Sequence, residues 1–388
     1  MTTRHSIHAP QIMISAGEAS SEMYAARLAA ALRARTGAQL FGMGGPRMAE
    51  AGVELIADYR QVAVVGLSEV LHKIPSVIRL QGKLAQEAAQ RGATLAILVD
   101  SPSTHLGVAR RLKRRGIPVG YFIGPQIWAW RAGRVRTIKR LVNRMVVIFP
   151  FEEKIYRDAG VPVDFVGHPL VDIVRPTATR AEFAARHGLD ASRPILTLLP
   201  GSRRSEIAQH YGRIMEACAQ LAEGPEKIEG VQFVHAAAPG LCAEIFARAA
   251  GDHVVPVTRV EGATYDALAA ADCAIVASGT ATVEAALLET PMVMIYRVTP
   301  ASAFILRRMI RTPFIGMVNL IAGKQAVPEL IQEQFTPAAV TREVRRLLGS
   351  LEARQEMKVE LGKVRARLGP GGAIERAADI FARMLQSH

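Results

Sequence analysis

Apolar residues fall along this chain in short β-rich runs separated by stretches of helical length. Gln11–Ala16, Gln39–Met43, Thr94–Val99, Val119–Ile123 and Met145–Phe149 form a first series. Ile195–Leu199, Val231–Ala236, Val254–Val257, Cys273–Ala277 and Met292–Tyr296 form a second. Short runs with little polar alternation read as strands buried on both faces of a parallel sheet. The segments between them, such as the stretch from about Ser20 to Arg35, read as helices. Strands alternating with helices predict an α/β fold of two Rossmann-like domains. Gly167-His168-Pro169 and the weakly patterned Asp172–Thr179 mark the expected hinge. The expected domains are therefore 1–170 and 171–360, followed by a helical C-terminal segment, 361–388. Such sheets bind ligands beyond the C-terminal ends of their strands, so two facing domains imply a cleft.

Composition narrows the class. With 388 residues, 49% of them hydrophobic and 21% charged, the chain can bury large cores, which excludes disorder, collagen and coiled coil. No apolar leader region opens the sequence, and no stretch approaches the roughly 18 apolar residues of a spanning helix. Cys218, Cys242 and Cys273 are odd in number and widely spaced, which suits a reducing cytoplasm better than a disulfide framework. The net charge of +13 calls for an anionic partner: nucleic acid, an anionic membrane surface or phosphorylated substrates.

Most nucleotide signatures are absent. No Gly-Lys pair is followed by Ser or Thr with the upstream glycine of a Walker loop, and Gly42–Arg47 reads as a tight turn. There is no Asp-x-Asp pair, and His and Cys never cluster at ligand spacing, so neither a metal nor a cofactor is expected. Two strand-to-helix junctions in the second domain carry more. Leu198–Glu206 places Ser202 and Arg203 where a helix begins, a position suited to phosphate. A capped loop with solvated arginines is the alternative. At Ala277–Glu284, the small residues Ser278, Gly279 and Thr280 permit close approach of a ligand, and Glu284 can accept hydrogen bonds from sugar hydroxyls. A capped helix start is again the alternative. Together the junctions suggest a diphosphate-plus-ribose site.

In the first domain, Glu18 and Asp100 each follow a predicted strand, where a general base would stand. Asp100 could equally cap the next helix. Both tryptophans lie in Pro125–Arg131, ahead of Arg134, Arg136, Lys139, Arg140 and Arg144, which suits single-stranded nucleic acid or a structural aromatic corner. Leu67, Val70, Leu71, Ile74, Val77 and Ile78 fall on one helical face beside His72, Lys73 and Arg79, with Pro75 expected to kink or end the helix. Such a stripe is either core or a surface that dips into lipid headgroups. Phe304–Phe314, with Arg307, Arg308 and Arg311, is a second apolar–basic stretch.

These residues, taken together, resemble the lipid-A-disaccharide synthases, an inverting glycosyltransferase family. The matching segments include Gly17-Glu18-x-Ser20, Gly45-Pro46-Arg47-Met48, Asp100-x-Pro102, Pro125-x-x-Trp128-Ala129-Trp130-Arg131, Phe165-Val166-Gly167-His168-Pro169, Leu198–Arg203, Ala277–Ala281 and Asn319–Gly323. They recur in order from residue 11 to about 332. The resemblance implies a GT-B-type fold, with UDP on the second domain and the lipid acceptor on the first. It implies condensation of UDP-2,3-diacylglucosamine with 2,3-diacylglucosamine 1-phosphate, giving a β-1′,6 disaccharide and UDP. Asp100 matches the family's essential Asp and candidate base, Glu18 its Gly-Glu acid, Arg203 its Pro-Gly-Ser-Arg arginine and Glu284 its ribose-side Glu. It further implies work at the cytoplasmic face of the inner membrane, with an anionic surface as partner and no nucleic acid. The family's C-terminal segment returns to the first domain and can exchange within a homodimer.

Two departures fall on the acceptor side. Ser21 and Glu22 stand where the family usually has Gly-Asp, and Ser103-Thr104 where it has Asp-Phe. A non-hydrolysing UDP-sugar epimerase and a basic nucleic-acid-binding protein are the rival readings.

Overall fold

The computed structural model describes residues 9–386 except 62–66, 126–133, 226, 239, 252–254, 301 and 305–311. Trp128, Trp130, Arg131, Arg307, Arg308 and Arg311 thus lie outside the described residues. The chain divides into two compact units, Met1–Pro169 with Gly369–His388, and Leu170–Leu368.

In the first unit, β1 (Gln11–Ala16), β2 (Gln39–Gly44), β3 (Val53–Asp58), β4 (Leu95–Val99), β5 (Val119–Phe122), β6 (Arg144–Val147) and β7 (Val163–Phe165) form one sheet. Their order is β3-β2-β1-β4-β5-β6-β7, and every pairing is parallel. The adjacent strands β4 and β5 are buried throughout, and β1 is buried from Ile12 onward. Ala16 pairs with Val99 at their C-terminal ends, which makes neighbours of the turns that follow. The 24-residue helix Leu67–Gln90 continues through Pro75, which neither ends nor divides it.

The C-terminal segment completes this unit. Helix Ala373–Gln386 packs on helix Ala19–Thr36, where Arg35 pairs with Glu375 and, at 2.7 Å, with Asp379. Its Arg376 guanidinium donates to the Val166 carbonyl at 2.6 and 3.0 Å. Residues 361–367 instead finish helix Leu351–Arg367 within the second unit, so the returning segment starts at Gly369.

The second unit holds β8 (Ile195–Leu199), β9 (Gln232–Ala237), β10 (Val257–Glu261), β11 (Cys273–Ala277), β12 (Met292–Tyr296) and β13 (Glu329–Ile331). They too are parallel, in the order β10-β9-β8-β11-β12-β13. The expected strand Val254–Val257 is corrected here: β10 starts at Val257 and runs on through Thr258, Arg259 and Val260. It is an edge strand with mostly half-buried positions, so its sequence lacks the continuous apolar run of β8 or β11.

Candidate active site

In the first unit the turn after β4 is strained. Asp100 and Ser101 are consecutive non-glycine residues with φ of 52° and 48°, a left-handed geometry costing about 1–2 kcal/mol per residue. Two donors hold the Asp100 carbonyl: the Tyr121 hydroxyl at 2.6 Å and His105 Nδ1 at 2.7 Å. Because Nδ1 donates to a carbonyl, Nε2 is the acceptor and the Ser15 hydroxyl donates to it at 2.9 Å. Burial pushes the His105 pKa down to about 4, so the ring is neutral at pH 7 and keeps this arrangement. Helix Pro102–Lys113 starts directly after the turn, but Ser101 and not Asp100 occupies its cap position.

The Asp100 carboxyl is half-buried. Desolvation first, and then the negative charge of Glu18, raise its pKa from 3.8 to about 6, against a lowering by the Ser101 amide. Gly17 lines the same turn, and a Cβ there would overlap the Ser101 side chain. The Ser101 hydroxyl is itself buried, with no partner among the described residues. Glu18 occupies the N-cap position of helix Ala19–Thr36. The departures from the usual family pattern have defined local roles. Ser21 Oγ donates to the Glu18 carbonyl at 2.9 Å and accepts from the Glu18 amide at 3.0 Å. Glu22 is buried and accepts the Arg47 amide at 2.9 Å, so it caps helix Pro46–Glu50 from outside. Ser103 is exposed.

In the second unit, the Pro200–Arg203 turn is not the open anion cradle its sequence suggests. Glu206 fills it: one carboxylate oxygen accepts the Ser202 amide at 2.9 Å and the Arg203 amide at 3.2 Å, and the other meets the Arg203 guanidinium at 3.1 Å. The Arg203 side chain remains 68% exposed, so most of its five-donor fork faces outward. Open amides are found instead at the neighbouring junction after β11. Gly279 caps helix Thr280–Leu287 with φ 148°, and a Cβ on it would meet nothing within 4 Å. The amides of Gly279, Thr280 and Ala281 have no acceptor among the described residues, whereas the Ser278 amide continues the sheet by donating to Ile295 O at 2.9 Å.

Glu284, one turn into that helix, accepts the Tyr265 hydroxyl at 3.3 Å. Burial raises its pKa and the Tyr265 bond opposes the rise. Ser202, Arg203, Ser278, Gly279, Thr280 and Glu284 thus all belong to the junctions that follow β8 and β11, strands that pair directly through Val276 and Leu199.

Sequence reasoning passed over three side chains that build these sites. His210 donates from Nδ1 to the Pro200 carbonyl at 2.7 Å and accepts the Arg297 amide at Nε2 at 2.9 Å, which ties the β8 turn to the end of β12. His105 and Tyr265 are the others. A histidine on an otherwise apolar helix face gives no signal of its own. Asn319, within the family-like Asn319–Gly323, is a structural pin: fully buried, it bonds the Ala326 and Val327 amides, the Val327 carbonyl and Glu329. No group of three or more His, Cys, Asp or Glu placed to hold a metal occurs among the described residues.

On helix Leu67–Gln90, the side chains of Leu67, Val70 and Leu71 lie outside what is described. Ile74 and Ile78 are 43% and 49% exposed, so the stripe is not core at those positions. Among the described residues, no helix is long and apolar enough to cross a membrane.

Two units, each with one parallel sheet, are the fold shared by GT-B glycosyltransferases and related epimerases. The UDP-GlcNAc 2-epimerase from Neisseria meningitidis bound to UDP-GlcNAc aligns with a TM-score of 0.62 over 97% of this chain and 99% of that one, at 12% identity. The calicheamicin glycosyltransferase CalG4 aligns at 0.58 over 98% and 99%, with 15% identity. Likeness at these identities is one of fold alone. Sequence separates the two activities: the lipid-A-disaccharide synthetase family model matches residues 12–378, and the lipid-A-disaccharide synthase of Myxococcus xanthus is 46% identical over 379 residues, covering 97% of this chain and 98% of the relative. The chain belongs to the lipid-A-disaccharide synthase family and is a glycosyltransferase, as its motifs imply. The epimerase and nucleic-acid readings are not favoured.

Proposed function

We propose that the chain joins UDP-2,3-diacylglucosamine to 2,3-diacylglucosamine 1-phosphate with inversion, the first unit holding the acylated acceptor and the second the UDP. The observation that carries the assignment of roles is the strained, half-buried Asp100, whose pKa of about 6 is suited to taking a proton near neutral pH. Its carboxylate removes the proton from the acceptor 6-hydroxyl as that oxygen bonds to the anomeric carbon. The bond from that carbon to the diphosphate breaks, and UDP leaves with the electron pair. Glu18 acts on Asp100 through its charge and positions the acceptor.

The charge growing on UDP is met by the Arg203 fork and the amides at the Gly279–Ala281 helix start, with no metal required. Glu284 accepts the ribose hydroxyls. Exposed Ile74 and Ile78, on a helix that also carries Lys73 and Arg79, support contact with an anionic membrane surface on the cytoplasmic side. Helix Ala19–Thr36, which receives helix Ala373–Gln386, offers a surface for exchange of that segment in a homodimer. Mass spectrometry of products after incubation with both lipids tests the reading: a disaccharide 1-phosphate with stoichiometric UDP supports it. An epimerised UDP-sugar with no disaccharide would overturn it.

A further inference from the structure

The second unit carries a pocket of about 550 Å³ whose lining includes none of the residues assigned to the donor. Helix Arg204–Glu223 lends it Gly212, Arg213 and Glu216, and Ala250, Arg297 and Phe335 contribute further wall. Two guanidiniums therefore share one concavity. Arg213 donates one N–H to the Gln209 carbonyl of its own helix at 3.1 Å, and Arg297 donates one to the Gln332 carbonyl at 3.0 Å. No carboxylate forms an ion pair with either among the described residues, so most of both five-donor forks is uncommitted.

Burial lowers the Arg213 pKa, the Arg297 charge lowers it further, and Glu216 acts in the opposite direction. Among the described lining residues Glu216 supplies one negative charge against two positive ones. The pocket also adjoins Thr336 and Pro337 at the start of the 13-residue helix Pro337–Gly349, the positive end of its dipole. Like charges held together in a concavity raise the free energy until an anion joins them. Planar guanidinium forks match phosphate oxygens two at a time.

We propose that this pocket is an anion site that takes a phosphoryl group between Arg213 and Arg297. The group arrives either on a soluble phosphate or on a phospholipid headgroup, since both offer the same oxygens.

The test uses the full chain. A UDP titration comes first and reports on the donor reading alone. The UDP-saturated protein is then titrated with inorganic phosphate by calorimetry, and separately sedimented with phosphatidylcholine vesicles with and without phosphatidylglycerol. The expected result is a saturable response to phosphate or to phosphatidylglycerol that Arg213→Gln weakens about tenfold or more, with UDP affinity unchanged. Ala250→Glu, which places a carboxylate in the wall, abolishes the same response. Arg213→Gln is preferred to Arg297→Gln because the Arg297 fork also holds Gln332. Sedimentation is done in the Ile74→Ser, Ile78→Ser background, so that helix Leu67–Gln90 does not contribute. A response confined to phosphate then assigns a soluble ligand, and one confined to phosphatidylglycerol assigns a headgroup; either supports the site. No response to either probe, or one that Arg213→Gln and Ala250→Glu leave intact, overturns it.

Discussion

Replacing Asp100 with Asn is expected to stabilise the protein while abolishing its chemistry. The carboxyl is driven from 3.8 to about 6 by desolvation and by Glu18, so its ionised form is held in the folded state at a cost. Each pKa unit is about 1.4 kcal/mol, so the full cost is about 3 kcal/mol at pH 7.5. An amide of the same size carries no such cost, and Asn also tolerates the left-handed φ of this position. At roughly 2–4 °C per kcal/mol for a unit of this size, the melting temperature should rise by about 6–12 °C.

The pH dependence fixes the sign. Below about pH 4, Asp100 is protonated in both the folded and the unfolded chain, so wild type and Asp100→Asn differ little. The advantage of Asn grows as pH rises from about 4 to about 6 and is constant above that. Scanning calorimetry at pH 7.5 and pH 4 measures it, alongside turnover. Turnover should fall by about 100-fold or more with UDP affinity unchanged. Unaltered melting at pH 7.5 would refute the burial argument, and near-normal turnover would refute the assignment of the base.

Other outcomes follow from the same geometry. Arg203→Ala and Glu284→Ala should each weaken UDP binding tenfold to a hundredfold by calorimetry, about 1.5–3 kcal/mol per lost charge-assisted bond. Asn319→Ala leaves several buried polar groups without partners and should cost about 3 kcal/mol or more in urea denaturation. Ile74→Ser with Ile78→Ser removes exposed apolar surface, so stability should change by under about 1 kcal/mol while vesicle binding falls; global unfolding of that variant would mean the stripe is core.

The sheets were legible in the sequence at their centres and not at their margins. β1, β4, β8 and β11 are central and buried on both faces. They are therefore written as runs that are apolar throughout in β4 and β11 and interrupted, once inside the strand, only by Ser15 in β1 and Thr197 in β8. β3, β7 and β13 went unread and β10 was displaced, and these are the four edge strands. Val163-Asp164-Phe165 and Glu329-Leu330-Ile331 are three residues each and half-buried, too short for a periodic signal. Asp100 and Glu18 stood out because carboxylates at strand ends are easily seen. Glu206 did not, since a glutamate three residues into a helix reads as routine capping, and only the structure shows it occupying the amides expected for phosphate. His105 and His210 reach partners distant in sequence, the Ser15 hydroxyl and the Arg297 amide, which no local pattern encodes.

The pH dependence of kcat/KM tests the central claim, that ionised Asp100 takes the acceptor proton, most directly. The free enzyme should lose activity on acidification with an apparent pKa of about 6, because protonated Asp100 cannot accept. Glu18→Gln removes a charge that raises this value, so the limb should move to lower pH in that variant. A wild-type profile flat from pH 5 to 8, or a limb that Glu18→Gln leaves in place, would contradict the account.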